Sequence, residues 1–265
     1  MPDAAELLRA YDSQLRTHVP ERLPDGVTVE RDGPVLRYLG LGDRGFVLYR
    51  DLEGREGAAV DELIARQVQT FGDRGQSFEW KLHGHDEPAD LADRLRAAGF
   101  VPEPEETIVV GLVREIAAAP QLPDEVSLRD VTARADLERI AVLEDEVTGE
   151  DHGWLAANLE AELQTDPDAL AIVVAEAEST VVCAGWVRFE GGTDFATLWG
   201  GATLPAWRSR GIYRATVAYR ATLAAERGFR FLQVDASSNS RPILERLGLT
   251  AVTTTTPYVW SPPGA

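Results

Sequence analysis

Two stretches of the chain follow one plan. Residues 78–100, "FEWKLHGHDEPADLADRLRAAGF", and 229–249, "FRFLQVDASSNSRPILERLGL", each begin as an apolar strand. Each continues through a polar residue two places before a proline, a helical stripe, then a glycine and an apolar residue. The polar–proline pairs are Asp86-x-Pro88 and Ser240-x-Pro242. They read as helix caps with proline in the first turn, and glycine past the last turn completes the pattern. The first copy predicts a helix about one turn longer than the second. The recurrence reads as an internal duplication, with coincidence between two ordinary strand–helix units as the alternative, and predicts an α/β (α+β) chain of sheets flanked by helices.

The stretch "EIAAAPQLPDEV" (115–126) separates the halves, with small residues and two prolines between patterned segments. It predicts a first domain over 1–115, a linker over 116–125 and a second domain over 126–265. In the second half the expected order is a strand at "EVSLRDV", helices over 133–147 and 154–164, and strands at "ALAIVVAEAE", "TVVCAGWVRFEG" and "TDFATLWGGATL". A helix over 211–227, a strand at "FRFLQVDA", a short helix over 241–247 and closing strands at "TAVTTTT" and "PYVW" follow. The first half is less regular. It predicts helices over 3–18, "AAVDELIARQVQTFG" and "EPADLADRLRAAGF", with strands around 27–30, 34–39, 45–50, "FEWKLHG" and "TIVVGLV".

Composition excludes several function classes. The 265 residues carry a net charge of −18, which argues against general nucleic-acid binding. No apolar run approaches the roughly 20 residues of a membrane span. The N-terminus has neither a basic nor an apolar leader region, and the single cysteine, Cys183, permits no internal disulfide. These features predict a cytoplasmic protein, monomeric or homodimeric, with no nucleic-acid or membrane partner. The charge is uneven: residues 116–205 hold 18 acids and 4 arginines, while 206–265 hold 3 acids and 8 arginines. Such a division suits a site taking a cation on one side and an anion on the other.

The basic segment contains "PAWRSRGIYRA" (205–215), where a strand gives way to an amphipathic helix. A helix start exposes unpaired N–H groups and a partial positive charge, and Gly211 lets a ligand approach the backbone. Consecutive N–H groups beside Arg208 and Arg210 suit a pyrophosphate. No Walker-type G-x-x-x-x-G-K-[ST] is present, and the G-x-G-x-x-G at Gly40–Gly45 runs into a strand, so it reads as a hairpin turn.

The run 203–229 followed by "LQVDASSNSRPILERLGL" resembles the GNAT superfamily of acyl-CoA-dependent N-acetyltransferases. The family's R/Q-x-x-G-x-G/A motif corresponds to Arg208-x-x-Gly211-x-Tyr213, and Asn239, Ser240 and Gly248-Leu249 match its downstream turn and helix exit. The first half looks like a degenerate GNAT-like domain without the pyrophosphate motif. The resemblance implies acetyl-CoA as co-substrate. Backbone groups of Ala202, Thr203 and Leu204 would pair with the pantetheine arm. Amides of Ser209, Arg210, Gly211, Ile212 and Tyr213, with Arg208, would hold the pyrophosphate, and Asn239 would touch the arm or the nucleotide end.

The implied reaction is direct attack by the primary amine of a small, cationic acceptor, with a backbone N–H of 195–203 meeting the developing oxyanion. The acidic turn "EDEVTGEDHGW" (144–154) offers Glu146, Glu150, Asp151 and His152 as base or amine-binding candidates. The alternatives are acylation of an amino-conjugate in thiol biosynthesis, as in mycothiol-synthase-like proteins, and a non-catalytic acyl-CoA sensor. Leu244 stands where the family often has a tyrosine that protonates the leaving thiolate, leaving Tyr213, Tyr219 or Tyr258 as substitutes. Cys183 reads as a buried small hydrophobe. His83, His85 and Asp86 read as capping or surface groups, and no metal is expected.

Overall fold

Apolar alternation and helical stripes resolve, in a computed structural model describing residues 2–40, 44–119 and 121–263, into strands and helices close to those the pattern predicts. The first part contains α1 (Ala4–Gln14), β1 (Thr28–Asp32), β2 (Val35–Leu39), β3 (Arg44–Leu48), α2 (Ala58–Gly72), β4 (Ser77–His83), α3 (Leu91–Ala97), β5 (Val101–Pro102), β6 (Glu106–Leu112) and α4 (Val113–Ile116). Then come β7 (Ser127–Asp130), α5 (Arg134–Thr148), α6 (Leu155–Thr165), β8 (Leu170–Ala177), β9 (Thr180–Phe189), β10 (Phe195–Thr203), α7 (Ile212–Glu226), β11 (Phe231–Ala236), α8 (Arg241–Arg246) and β12 (Thr250–Trp260). Leu41, Gly42 and Asp43 of the predicted hairpin turn and Pro120 of the predicted linker lie outside the described residues, although β2 and β3 do pair antiparallel.

The chain forms two compact units, 1–19 with 25–108 and 252–265, and 20–24 with 109–251. The end of the chain therefore belongs with the first unit, whereas the sequence reading placed all of 126–265 in the second. The reason is strand pairing: β12 pairs antiparallel with β4, from Thr255 opposite His83 to Trp260 opposite Phe78. The first unit's sheet runs β1-β2-β3-β4-β12, with β3 and β4 parallel across α2. Its core gathers Phe71, Phe78, Trp80, Phe100, Tyr258 and Trp260, with Phe71 stacked on Phe78 at 4.2 Å. Pro257 does not interrupt β12 as the sequence suggested: its carbonyl accepts from Glu103, and the strand continues.

Asp86 does not cap α3, which starts later, after Asp90. Its carboxylate is engaged elsewhere. It accepts from Arg16 Nη2 at 2.8 Å, from the Tyr49 hydroxyl at 2.5 Å and from the His83 amide at 2.8 Å. His83 in turn meets the Tyr11 hydroxyl at 2.9 Å, so this buried network ties α1 to β4. His85 meets Asp12 and Thr253. Burial alone would raise the Asp86 carboxyl, but the hydrogen bonds and the Arg16 charge outweigh it and bring it down to about 2. Among the described residues no cluster of three His, Cys, Asp or Glu is arranged for a metal ion, and no helix is long and apolar enough to cross a membrane.

The second unit's sheet runs β6-β11-β10-β9-β8-β7, with β10 and β11 parallel and the β10–β9–β8–β7 pairs antiparallel. The stripe of α5 (Leu137, Ile140, Ala141 and Leu143) packs with α6 on β8 and β9. Buried Val217, Ala221 and Ala224 of α7 pack with Leu244 of α8 and Leu232 of β11. α8 does start after Ser240 with Pro242 in its first turn, but the Ser240 hydroxyl bonds Ser237 and makes no cap hydrogen bond to the helix.

Two outcomes follow from these networks. Deleting 250–263 strips β12 from β4, so native-state hydrogen exchange of β4 amides should lose protection while that of β8 and β9 persists. Asp86 has a depressed folded pKa, so its contribution to stability is complete above its unfolded value near 4. That contribution, about 2 kcal/mol, is lost as pH falls from about 4 to 2. Urea midpoints of wild type and Asp86→Asn should therefore converge at low pH.

Candidate active site

Two parallel strands part company in the second unit. β10 pairs with β11 only from Phe195 to Thr197, opposite Phe231 to Gln233, and then runs on to Thr203 without that partner. On its other edge β10 stays paired to β9, with a bulge between Gly200 and Ala202. An extra residue in one strand bends it and sharpens its twist. Gly200 and Gly201 have φ of +65° and +100°, which only glycine adopts cheaply. Each also makes room for a ring. A Cβ on Gly200 would lie 2.5 Å from the Trp186 ring, and one on Gly201 would lie 2.7 Å from the Tyr213 ring.

The bend is held by Arg220 of α7, which is 1% exposed. Its guanidinium donates to the carbonyls of Trp186 (3.0 Å), Trp199 (2.9 Å) and Thr216 (3.0 Å). Gly185 leaves the space, since a Cβ there would meet Arg220 Nη1 at 2.6 Å. Successive residues of a strand face opposite sides. Arg220 and α7 therefore cover the Gly185 side of β9, while Trp186 faces the α5–α6 side.

Beyond β10 a short turn at Pro205–Trp207 leads into Arg208-Ser209-Arg210-Gly211 and α7. Ser209 (φ +63°) and Gly211 (φ +82°) are both left-handed, which turns successive N–H groups toward one concavity. The amides of Ser209, Arg210, Gly211, Ile212 and Tyr213 donate no hydrogen bond among the described residues. Arg208 Nε holds the Thr203 carbonyl at 3.1 Å, fixing the turn to the strand end. Arg210 makes an exposed pair with Glu125 at 3.1 Å and covers the Trp207 ring. Such a pair is worth little and yields readily to a stronger anion.

Ala202 and Thr203 lie on the run of β10 beyond its pairing with β11, and Leu204 follows it. Ala202 and Thr203 pair with Ala184 and Cys183 of β9, and the Leu204 amide donates to Val182. Asn239 is exposed in the turn after β11. Tyr213 bridges the gap: its ring lies against Gly201 and its hydroxyl meets Ser240. Burial raises the Tyr213 hydroxyl, an effect only partly offset by the Arg220 charge, so it stays protonated at neutral pH. Leu244 is fully buried in the core. Of the other two tyrosines, Tyr219 is spent on Asp130 and Tyr258 is buried in the first unit's core. Cys183 is also fully buried, bonded by the Thr203 hydroxyl at 3.2 Å, and burial raises its thiol.

On the α5–α6 side, Glu146, Glu150 and Asp151 are all exposed, and Asp151 accepts from the nearby Gly153 amide. His152 is part-buried and bonds Asp145. Sequence reasoning missed Glu144, which is 9% exposed on the inward stripe of α5 and whose Oε1 has no hydrogen-bond partner. The available signal was its spacing: it follows Leu137, Ile140 and Ala141 by seven, four and three residues, which places a charge on the apolar face. Trp199 stands half-exposed nearby on β10, with Arg188 over its ring at 4.6 Å.

The loops after β3 and β4 occupy the corresponding place in the first unit. They border a cleft of about 340 Å³ lined by five carboxylates, those of Asp12, Asp51, Glu56, Asp86 and Glu87. Its two arginines are already engaged, Arg50 by Asp51 and Arg55 by Glu53.

No family model matches the chain, and no curated protein sequence matches it. Solved structures do. A GCN5-related N-acetyltransferase from Kribbella flavida superposes with a TM-score of 0.65 at 16% identity, over 99% of this chain and 95% of that one. One from Sphaerobacter thermophilus gives 0.61 at 15% identity, over 90% and 77%. A tandem GNAT protein from the clavulanic acid biosynthesis pathway gives 0.61 at 14% identity, over 90% and 84%. The fold is that of the GCN5-related N-acetyltransferases. Within this GNAT fold the chain departs from the resembling motif at two points, Tyr213 for a small residue and Leu244 for a tyrosine, and Gly201 of β10 makes room for the first.

Gly185→Ala tests the clamp. The added methyl displaces Arg220 and leaves a buried guanidinium and two carbonyls unpaired, at a cost of about 3 kcal/mol. A lowered urea midpoint, with the unfolding slope unchanged, is the expected reading.

Proposed function

We propose that this protein is an N-acetyltransferase that moves the acetyl group of acetyl-CoA to the primary amine of a small cationic acceptor. The observation that carries the reading is the run of undonated amides from Ser209 to Tyr213 at the end of a strand that has left its parallel neighbour. Those residues fit a diphosphate: unpaired N–H groups, left-handed turns and arginines held by weak or local bonds. The free edge of β10 around Ala202–Leu204 would receive the amide-bearing arm, and Asn239 would approach it from the β11 side. Acetyl-CoA supplies an activated acyl group. The chain's own part is to hold that group against the acceptor, which lowers the barrier by alignment, and to place an N–H where negative charge develops. Tyr213 is the proton donor to the departing sulfur, in place of the tyrosine that Leu244 displaces.

The exposed carboxylates Glu146, Glu150 and Asp151 form an acidic rim that draws in a cationic amine rather than performing the chemistry. Arginines engaged by their own neighbours in an acid-lined cleft support the reading of the first half as a GNAT-like domain without a pyrophosphate grip. A second reading, a non-catalytic acyl-CoA sensor, is favoured by one observation: Leu244 is sealed in the core and offers no proton.

Calorimetry with acetyl-CoA and a thiol-release assay over an amine panel separate the two. The transferase reading expects binding and turnover; binding alone favours the sensor. Gly211→Val forces a branched side chain into a left-handed position and should lower acetyl-CoA affinity at least about tenfold. Tyr213→Phe should retain that affinity and lower kcat.

A further inference from the structure

Glu144 is a carboxylate buried on the apolar face of α5. Its Oε1 is buried without a hydrogen-bond partner, in a position where the rest of the stripe is apolar. Leaving a buried acceptor unsatisfied costs stability, and more so for a charged group. A leucine or methionine would pack there at no such cost, so packing does not explain the residue. α5 lays this face on β9 and β10, the strands that carry the bulge, and Trp186, whose Nε1 is likewise unpartnered, faces the same side. From α6 the facing side chains are apolar, Leu155, Ala156 and Leu159. The titratable groups within electrostatic reach are Asp145 in the last turn of α5, His152 in the turn that follows it, and Cys183 on β9.

We propose that Glu144 is the carboxylate that receives the acceptor's ammonium group and removes its proton. This rests on the transferase reading above. The acceptor arrives as R–NH₃⁺, and Glu144 takes one proton to give R–NH₂. The nitrogen lone pair forms a C–N bond to the thioester carbonyl carbon, and the C–S bond breaks with its electron pair on sulfur. Tyr213 gives its proton to the thiolate, the second proton leaving nitrogen as the amide forms restores the Tyr213 hydroxyl, and Glu144 returns the first proton to water. Burial raises the Glu144 carboxyl, and Asp145 adds to the rise while His152 opposes it. A base lifted toward the working pH accepts a proton more effectively than an exposed carboxylate of ordinary acidity.

The test uses the full chain, acetyl-CoA, and spermidine, tyramine and glucosamine as amine probes. Glu144→Gln keeps the shape and removes the charge. It should bind acetyl-CoA as wild type does, melt at the same temperature or higher, and lose about a hundredfold in kcat. The acidic limb of its kcat/KM–pH profile should disappear. Glu144→Asp should keep that limb at a reduced rate. Wild-type turnover with an unchanged acidic limb in Glu144→Gln overturns the assignment and leaves the transferase reading standing. A Glu144→Gln chain that unfolds also overturns it, since an isosteric neutral side chain must be tolerated. Failure of the wild type to bind acetyl-CoA, or binding without turnover of any probe, overturns the transferase reading and Glu144's role with it.

Discussion

Arg220 carries its charge into the interior of the second unit, where its hydrogen bonds among the described residues all go to carbonyl oxygens. Burial lowers its pKa, but a guanidinium does not give up its proton in a protein. The three carbonyls must therefore stay where they are. Two of them belong to Trp186 and Trp199, on strands on either side of the register shift, so the clamp fixes the place where the sheet stops being regular. Hydrogen bonds to a charged donor contribute about 1.5–3 kcal/mol each, enough to hold a bulge that costs ladder pairing. Because Arg220 grows from α7, the same contact sets where that helix begins, and hence where the amides of Ser209 to Tyr213 stand relative to the end of β10.

Much of this arrangement was legible in the sequence, for physical reasons that differ by element. The helix over 58–72 was readable to the residue because its apolar stripe is bounded by glycine on both sides. The turn before α7 could be placed because glycine ahead of an amphipathic stripe marks a helix start, and Gly211 stands there in the left-handed region. Other features could not be read locally. Asp86 looks like a cap because a short polar residue before proline usually is one; its true partners, Arg16 and Tyr49, are remote in sequence. The strand over 250–260 was divided at Pro257 because proline weakens a ladder, and only the pairing partner shows that the strand survives. Glu144 lay inside a stretch already singled out for its acidity, but acidity marked the exposed residues equally. What set it apart was helical phase.

The two halves place loops at corresponding positions and use them differently. In the second, the loop after β10 is basic and keeps backbone donors open, and the one after β11 is uncharged. In the first, they are acidic and bind their own arginines, and the remaining polarity is turned inward into the Arg16–Asp86–Tyr49 network. The same frame is kept in both, with backbone donors left open in one and polar side chains tied to one another in the other.

Pairing of β12 with β4 bears on how the protein is made. Residues 1–108 contain four of the five strands along the first unit's sheet path, yet the edge of β4 waits for a segment made only after the whole of 109–249. Until then Phe78 and Trp80 lack the cover of Tyr258 and Trp260, and the strand edge beside them is open to unwanted pairing. The second unit, complete by residue 251, has the chance to fold earlier. In this chain the order of synthesis and the order of completion run in opposite directions.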